Sequence, residues 1–118
     1  MIFQYKTKES GDIKVFHLFG ELIDREQPKI MVDDVIETIE KGTVNILLNL
    51  KELRYINSSG LSVLINILTK SRKAGGDVAI CCVNDKNQEL LHITKLDSIF
   101  NVCASEEDAV ALLNKQSV

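Results

Sequence analysis

Apolar and polar residues alternate along this chain with two different periods, and the switches between them set out its elements. Ile2 to Thr7 and Ile13 to Phe19 carry the short β-rich pattern of strands, and Glu9-Ser10-Gly11-Asp12 between them supplies hairpin turn residues. In the second strand Ile13, Val15, His17 and Phe19 share one face while Phe16 and Leu18 share the other, which predicts a strand covered on both sides. Gly20-Glu21-Leu22-Ile23-Asp24 forms an exit loop. Asp24 with Gln27 resembles a capping box, and Pro28 is tolerated while the helix is in its first turn. Met31, Val32, Val35, Ile36 and Ile39 then repeat at helical spacing, and Lys41-Gly42 supplies a stop. Val44 to Leu50 reads as a third strand, and Lys51 to Ile56 leads out of it. Leu61, Leu64, Ile65 and Leu68 follow at i, i+3, i+4 and i+7, predicting a helix from about Gly60 to Ala74 that Gly75-Gly76 ends. Asp77 to Val83 is a fourth strand. Asp85 with Gln88 caps a short helix through Leu91 and His92, and Ile99 to Cys103 is a last strand. Ser105 caps a terminal helix with Glu106, Glu107 and Asp108 in its first turn.

This order predicts one α/β domain over residues 1–118, with a mixed sheet, an N-terminal hairpin and βαβ crossovers, about five strands and four helices. Composition agrees: 118 residues, 45% hydrophobic and 26% charged, are ordinary for a globular domain with its own core. A net charge of −3 with no basic run disfavours nucleic-acid binding. No apolar stretch approaches membrane-spanning length and no leader pattern stands at the start, so a cytoplasmic protein without a membrane is expected. Cys81 and Cys82, adjacent in a strand, are expected on opposite faces, and Cys103 stands apart. All three read as reduced, buried side chains rather than metal ligands. His17 reads as a satisfied structural residue, since no second ligand lies at metal-binding spacing.

The candidate chemistry sits at Tyr55-Ile56-Asn57-Ser58-Ser59-Gly60-Leu61, where strand gives way to helix. A serine there can cap the helix, attack a substrate or carry a phosphate. Catalysis is disfavoured. Ile56 occupies the first glycine position of a nucleophile elbow, and no histidine is placed to activate a serine. Only Gly60 is present where a phosphate-binding loop needs more glycines and a lysine, so no cofactor is expected. On spacing alone, Ser58 or Ser59 is a natural N-cap of the following helix.

The Leu50–Leu64 segment, with its Ile-Asn-Ser-Ser-Gly-Leu core, resembles the signature of STAS domains, specifically of the bacterial anti-sigma factor antagonists. Gly20-Glu21-Leu22 resembles that family's exit loop, and Ala74-Gly75-Gly76 its glycine pair before strand four. Asn57 stands where the family usually has aspartate, and Ile23 where the exit loop usually has one. The resemblance implies a STAS-like fold and a phosphorylation switch at Ser58. The partners would be an anti-sigma factor that is also a serine kinase, and a phosphatase that resets the switch. The free protein would be a monomer, would catalyse nothing and would bind no metal. The expected contact surface comprises Glu21, Leu22, Ile23, Asp24, Asn57, Ser58, Ser59, Gly60, Ser62 and Asn66. The alternative is a STAS scaffold in another signalling or transport complex, with Ser58 only a helix cap.

Overall fold

The computed structural model describes residues 2–116. Its strands are β1 (Gln4–Ser10), β2 (Ile13–Leu22), β3 (Asn45–Ile56), β4 (Val78–Cys81) and β5 (Asn101–Cys103). Its helices are α1 (Lys29–Glu40), α2 (Ser58–Lys73), α3 (Asp85–Ile93) and α4 (Glu106–Gln116), with a short 3-10 turn at Leu96–Ser98. The sheet runs β1-β2-β3-β4-β5, antiparallel between β1 and β2 and parallel thereafter. The expected mixed sheet with five strands and four helices is what the chain forms.

Two apolar layers enclose the sheet. Phe16 and Leu18 of β2, Ile46 and Leu48 of β3 and Ile80 of β4 point to one face, where Met31 and Val35 of α1, Leu64 and Ile67 of α2 and Leu91 of α3 cover them. Ile13, Val15, Leu47, Ala79 and Cys81 point to the other, under Ala109 and Leu113 of α4. The period of two along β2 thus separates the layers as its sequence predicts. Glu106, in the first turn of α4, anchors that helix. It accepts from Asn49 Nδ2 at 3.0 Å and pairs with Lys8 Nζ at 2.6 Å. The Lys8 hydrogen bond, followed by that of Asn49, holds its carboxyl below the usual glutamate range.

Several boundaries differ from the sequence reading. β3 continues unbroken through Lys51–Ile56, because β2 pairs with it as far as Leu22 opposite Ile56 while β4 stops at Cys81 opposite Asn49. The far half of β3 therefore has one neighbour, and only Leu53 and Ile56 are buried in it. The hairpin turn narrows to Gly11-Asp12, since Ser10 pairs with Ile13. Asn84, not Asp85, caps α3 by accepting from the Asn87 amide at 2.8 Å, whereas Ser105 does cap α4. His17 is not satisfied at both ring nitrogens: Nε2 is buried with no hydrogen-bond partner among the described residues, and the ring stacks on Phe19 at 4.7 Å. Cys82 has φ 61, so β4 ends at Cys81, and both thiols join the layer under α4 instead of opposing each other. No helix among the described residues is long and apolar enough to cross a membrane. Among the same residues no group of His, Cys, Asp or Glu is placed to hold a metal ion.

Candidate functional site

The turn from β3 into α2 is built by Asn57. Its backbone is extended (φ −110, ψ −173), as an N-cap requires, and its side-chain Oδ1 accepts from the Gly60 amide at 3.0 Å. Its Nδ2 donates to the Ile23 carbonyl at 2.9 Å, and its own amide donates to the Leu22 carbonyl at 3.3 Å. One side chain therefore caps the helix and ties the exit loop of β2 to it. This corrects the expectation that Ser58 or Ser59 is the cap. An amide suits the double role, because it accepts on one side and donates on the other. Aspartate could serve Gly60 but would set an oxygen against the Ile23 carbonyl. Asn57→Ala removes both bonds and should cost about 1–2 kcal/mol. A urea denaturation midpoint that falls accordingly, with unchanged slope, is the check.

Freed from capping, Ser58 becomes the first residue of α2. It is exposed, and among the described residues its hydroxyl has no hydrogen-bond partner. Ser59 is half-buried. Gly60 is buried because α2 packs directly on the Leu22 carbonyl, where a Cβ would overlap backbone atoms. Ser62 is half-buried and donates to the Ser58 carbonyl at 3.2 Å.

The end of β2 and the exit loop lie alongside; Gly20, Glu21 and Leu22, expected in that loop, are the last residues of β2, so the loop itself starts at Ile23. Glu21 pairs in register with Tyr55, and Leu22 with Ile56. Asp24 accepts from the Glu26 and Gln27 amides at 3.0 and 2.9 Å and from Gln27 Nε2 at 3.1 Å. The Gln27 amide is the chief reason its carboxyl lies below the usual range. The expected capping box is therefore only half made: Gln27 Oε1 accepts from the Phe3 amide at 2.8 Å and not from the Asp24 amide, and the helix begins only at Lys29 after Pro28.

The ten residues expected to form a contact surface do come together, with a division of labour. Leu22 and Gly60 are buried and position the turn from below. Asn57 and Ile23 are half-buried and bonded to each other, and Glu21, Asp24, Ser59 and Ser62 are half-buried at the rim. Ser58 and Asn66 are exposed. The sequence reading missed the flanks. Arg25, Lys29 and Val32 face Ser62, Val63 and Asn66 across a groove of about 440 Å³ between α1 and α2. On the other side Tyr55, Lys86, Leu90 and Ile93 line a second groove that includes Ser58, with Lys86 Nζ 5.4 Å from the Tyr55 ring centroid. Ile93 and Tyr55 are 68% and 39% exposed, unusual for large apolar side chains unless something covers them. The α2 sequence holds no acidic residue, and its last turn carries Lys70, Arg72 and Lys73. An exposed hydroxyl at a helix start, rimmed by polar and apolar side chains without a general base, suits modification and protein contact better than catalysis.

Known proteins place this geometry in context. The chain is 27% identical over 115 residues to an anti-sigma F factor antagonist of Paenibacillus polymyxa, covering 96% of this chain and 97% of that one. A crystal structure of a Thermotoga maritima protein assigned as an anti-sigma factor antagonist superposes with a TM-score of 0.85, at 26% identity and over 93% and 94% of the two chains. The phosphorylated form of SpoIIAA, a Bacillus cell fate determinant, shares the fold with a TM-score of 0.73 at 18% identity, over 92% and 97% of the chains. The model of the STAS domain family matches residues 4–109, which takes in every strand, the serine turn and the first turn of α4. The chain belongs to the STAS domain family.

Proposed function

We propose that this chain is an anti-sigma factor antagonist whose binding is controlled by phosphorylation of Ser58. The observation that carries the reading is the exposed, unpartnered hydroxyl of Ser58 at the start of α2, left free because Asn57 has taken over the cap. The relatives lend support: the Paenibacillus protein is an anti-sigma F factor antagonist, and SpoIIAA, with the same fold, exists in a phosphorylated form. The partner is an anti-sigma factor that is also a serine kinase, and a phosphatase restores the hydroxyl. The unmodified chain binds the anti-sigma factor and frees its sigma factor. Phosphate adds about −1.5 to −2 charges, which a helix N-terminus accommodates but a docked surface does not. The chain acts as one domain over residues 1–118, free as a monomer in the cytoplasm, with no catalytic activity or cofactor of its own. Glu21, Ile23, Asp24, Ser59, Ser62 and Asn66 form the rim of the contact, and Leu22, Asn57 and Gly60 hold the turn in place.

The cognate anti-sigma factor kinase, supplied with Mg-ATP, should add one phosphate, and peptide mapping should find it on Ser58 rather than Ser59. Phosphate on Ser59 would reject the residue assignment. A chain left unmodified by that kinase would reject the switch.

A further inference from the structure

All three cysteines of the chain meet at one corner of the sheet, away from the serine turn. Cys81 and Cys103 are the last residues of β4 and β5 and stand opposite each other in the parallel register. Residues paired across a ladder turn their side chains to the same face, on strands about 4.7–4.9 Å apart. That separation lies inside the roughly 4.4–6.8 Å between Cα atoms that a disulfide requires. Both residues end their strands, so the backbone can close the remaining distance without disturbing pairs further in. Cys82 crowds the same place. Its positive φ takes it out of the strand, and its amide donates to the Cys103 carbonyl at 3.4 Å.

The three differ in access. Cys81 is fully buried beneath α4. Cys103 is half-buried and lines an open groove with Cys82, Val83, Gln88, Val102 and Ala104. We propose that Cys103 and Cys81 form a reversible oxidation site for small peroxides. The Cys103 sulfur, as thiolate, attacks one oxygen of the peroxide. The O–O bond breaks, leaving Cys103 as a sulfenic acid and releasing one water when the peroxide is hydrogen peroxide. The Cys81 sulfur then attacks the sulfenic sulfur, and the hydroxyl leaves as a second water with the Cys81 proton. Two thiols lose two electrons in total, the peroxide gains two, and a dithiol reductant reverses the change. Burial pushes both thiols above their usual range, with Asp108 adding to the effect at Cys103 and Cys82 at Cys81. The thiolate is therefore scarce at neutral pH, and the pair answers to sustained peroxide rather than to traces. Cys82, though nearest to Cys81 in sequence, is left out, because adjacent residues would close a strained ring across one peptide unit.

The test uses the full reduced chain, hydrogen peroxide in excess, alkylation under denaturing conditions and non-reducing peptide mapping. The expected product is a monomer lighter by two hydrogens, with Cys81 joined to Cys103, Cys82 alkylated, and full reversal by dithiothreitol. Cys82→Ser should form the bond at a rate within about twofold of the parent. Cys103→Ser, a near-isosteric change at a half-buried position, should lower disulfide formation at least tenfold. Three free thiols after prolonged exposure, a bridge through Cys82, or cross-linked dimers would each overturn the assignment.

Discussion

Ser58→Asp is expected to weaken binding to the anti-sigma factor by at least tens-fold while leaving the melting temperature almost unchanged. The two effects separate because the residue stabilises little and is exposed. A carboxylate at a helix N-terminus gains about 0.3–1 kcal/mol from the dipole. Asn57 keeps its bonds to Gly60 and Ile23, so the cap is not disturbed. Against a docked protein the same charge is desolvated, and an unpaired or like-charge contact there costs several kcal/mol. Each 1.4 kcal/mol is about tenfold in affinity. Ser58→Ala separates the terms from the other side: it should bind as the parent does, resist phosphorylation and stay within about 0.5 kcal/mol in stability, since it surrenders no hydrogen bond. A loss near 1 kcal/mol in the alanine variant would mean that Ser58 caps after all.

Gly60→Ala is expected to destabilise the fold by about 2–3 kcal/mol, which for a chain of this size lowers the melting temperature by roughly 10 °C. In an exposed helix the same change would gain up to about 1 kcal/mol of helix propensity. Here the new Cβ meets the carbonyl of Leu22, which is backbone and cannot rotate away, so α2 must move off β2. That movement would also stretch the Asn57 bonds that join exit loop and turn. Gly76→Ala is the informative control. Its Cβ meets the Val44 carbonyl near the other end of α2, so it should cost stability too but leave the serine turn in place. At a temperature where both variants are folded, only Gly60→Ala should weaken the anti-sigma factor complex. Thermal melts beside binding titrations measure both. A Gly60→Ala variant as stable as the parent would mean that α2 does not rest on Leu22.

The apolar periods carried the architecture because each helix buries a stripe that its spacing declares. Leu61, Leu64 and Leu68 are buried where the i, i+3, i+7 pattern sets them, whereas Ile65, expected in the same stripe, is 39% exposed and Val63 and Ile67 are buried instead. Position within the serine turn was harder to read. Asn57, Ser58 and Ser59 are three successive cap formers, and local spacing does not say which of them has extended backbone. The choice falls to Asn57 through its bond to Ile23, 34 residues away, a contact that exists only once β2 and β3 are paired. The far half of β3 looked like a linker for a related reason: with β4 ended, it has little apolar surface to display. Nothing in the local spacing singles out Arg25 and Lys29, and only the packing of α1 beside α2 sets them across a groove from Ser62 and Asn66. Cys82 was misplaced because one residue with positive φ ends a strand without any glycine to announce it.

The most direct measurement compares one preparation of the chain before and after phosphorylation, titrated against its cognate anti-sigma factor. Unmodified protein should bind, and protein carrying a single phosphate on Ser58 should bind at least tens-fold more weakly, with affinity restored when a phosphatase removes the group. Equal affinity of the two forms, both folded, would contradict the switch.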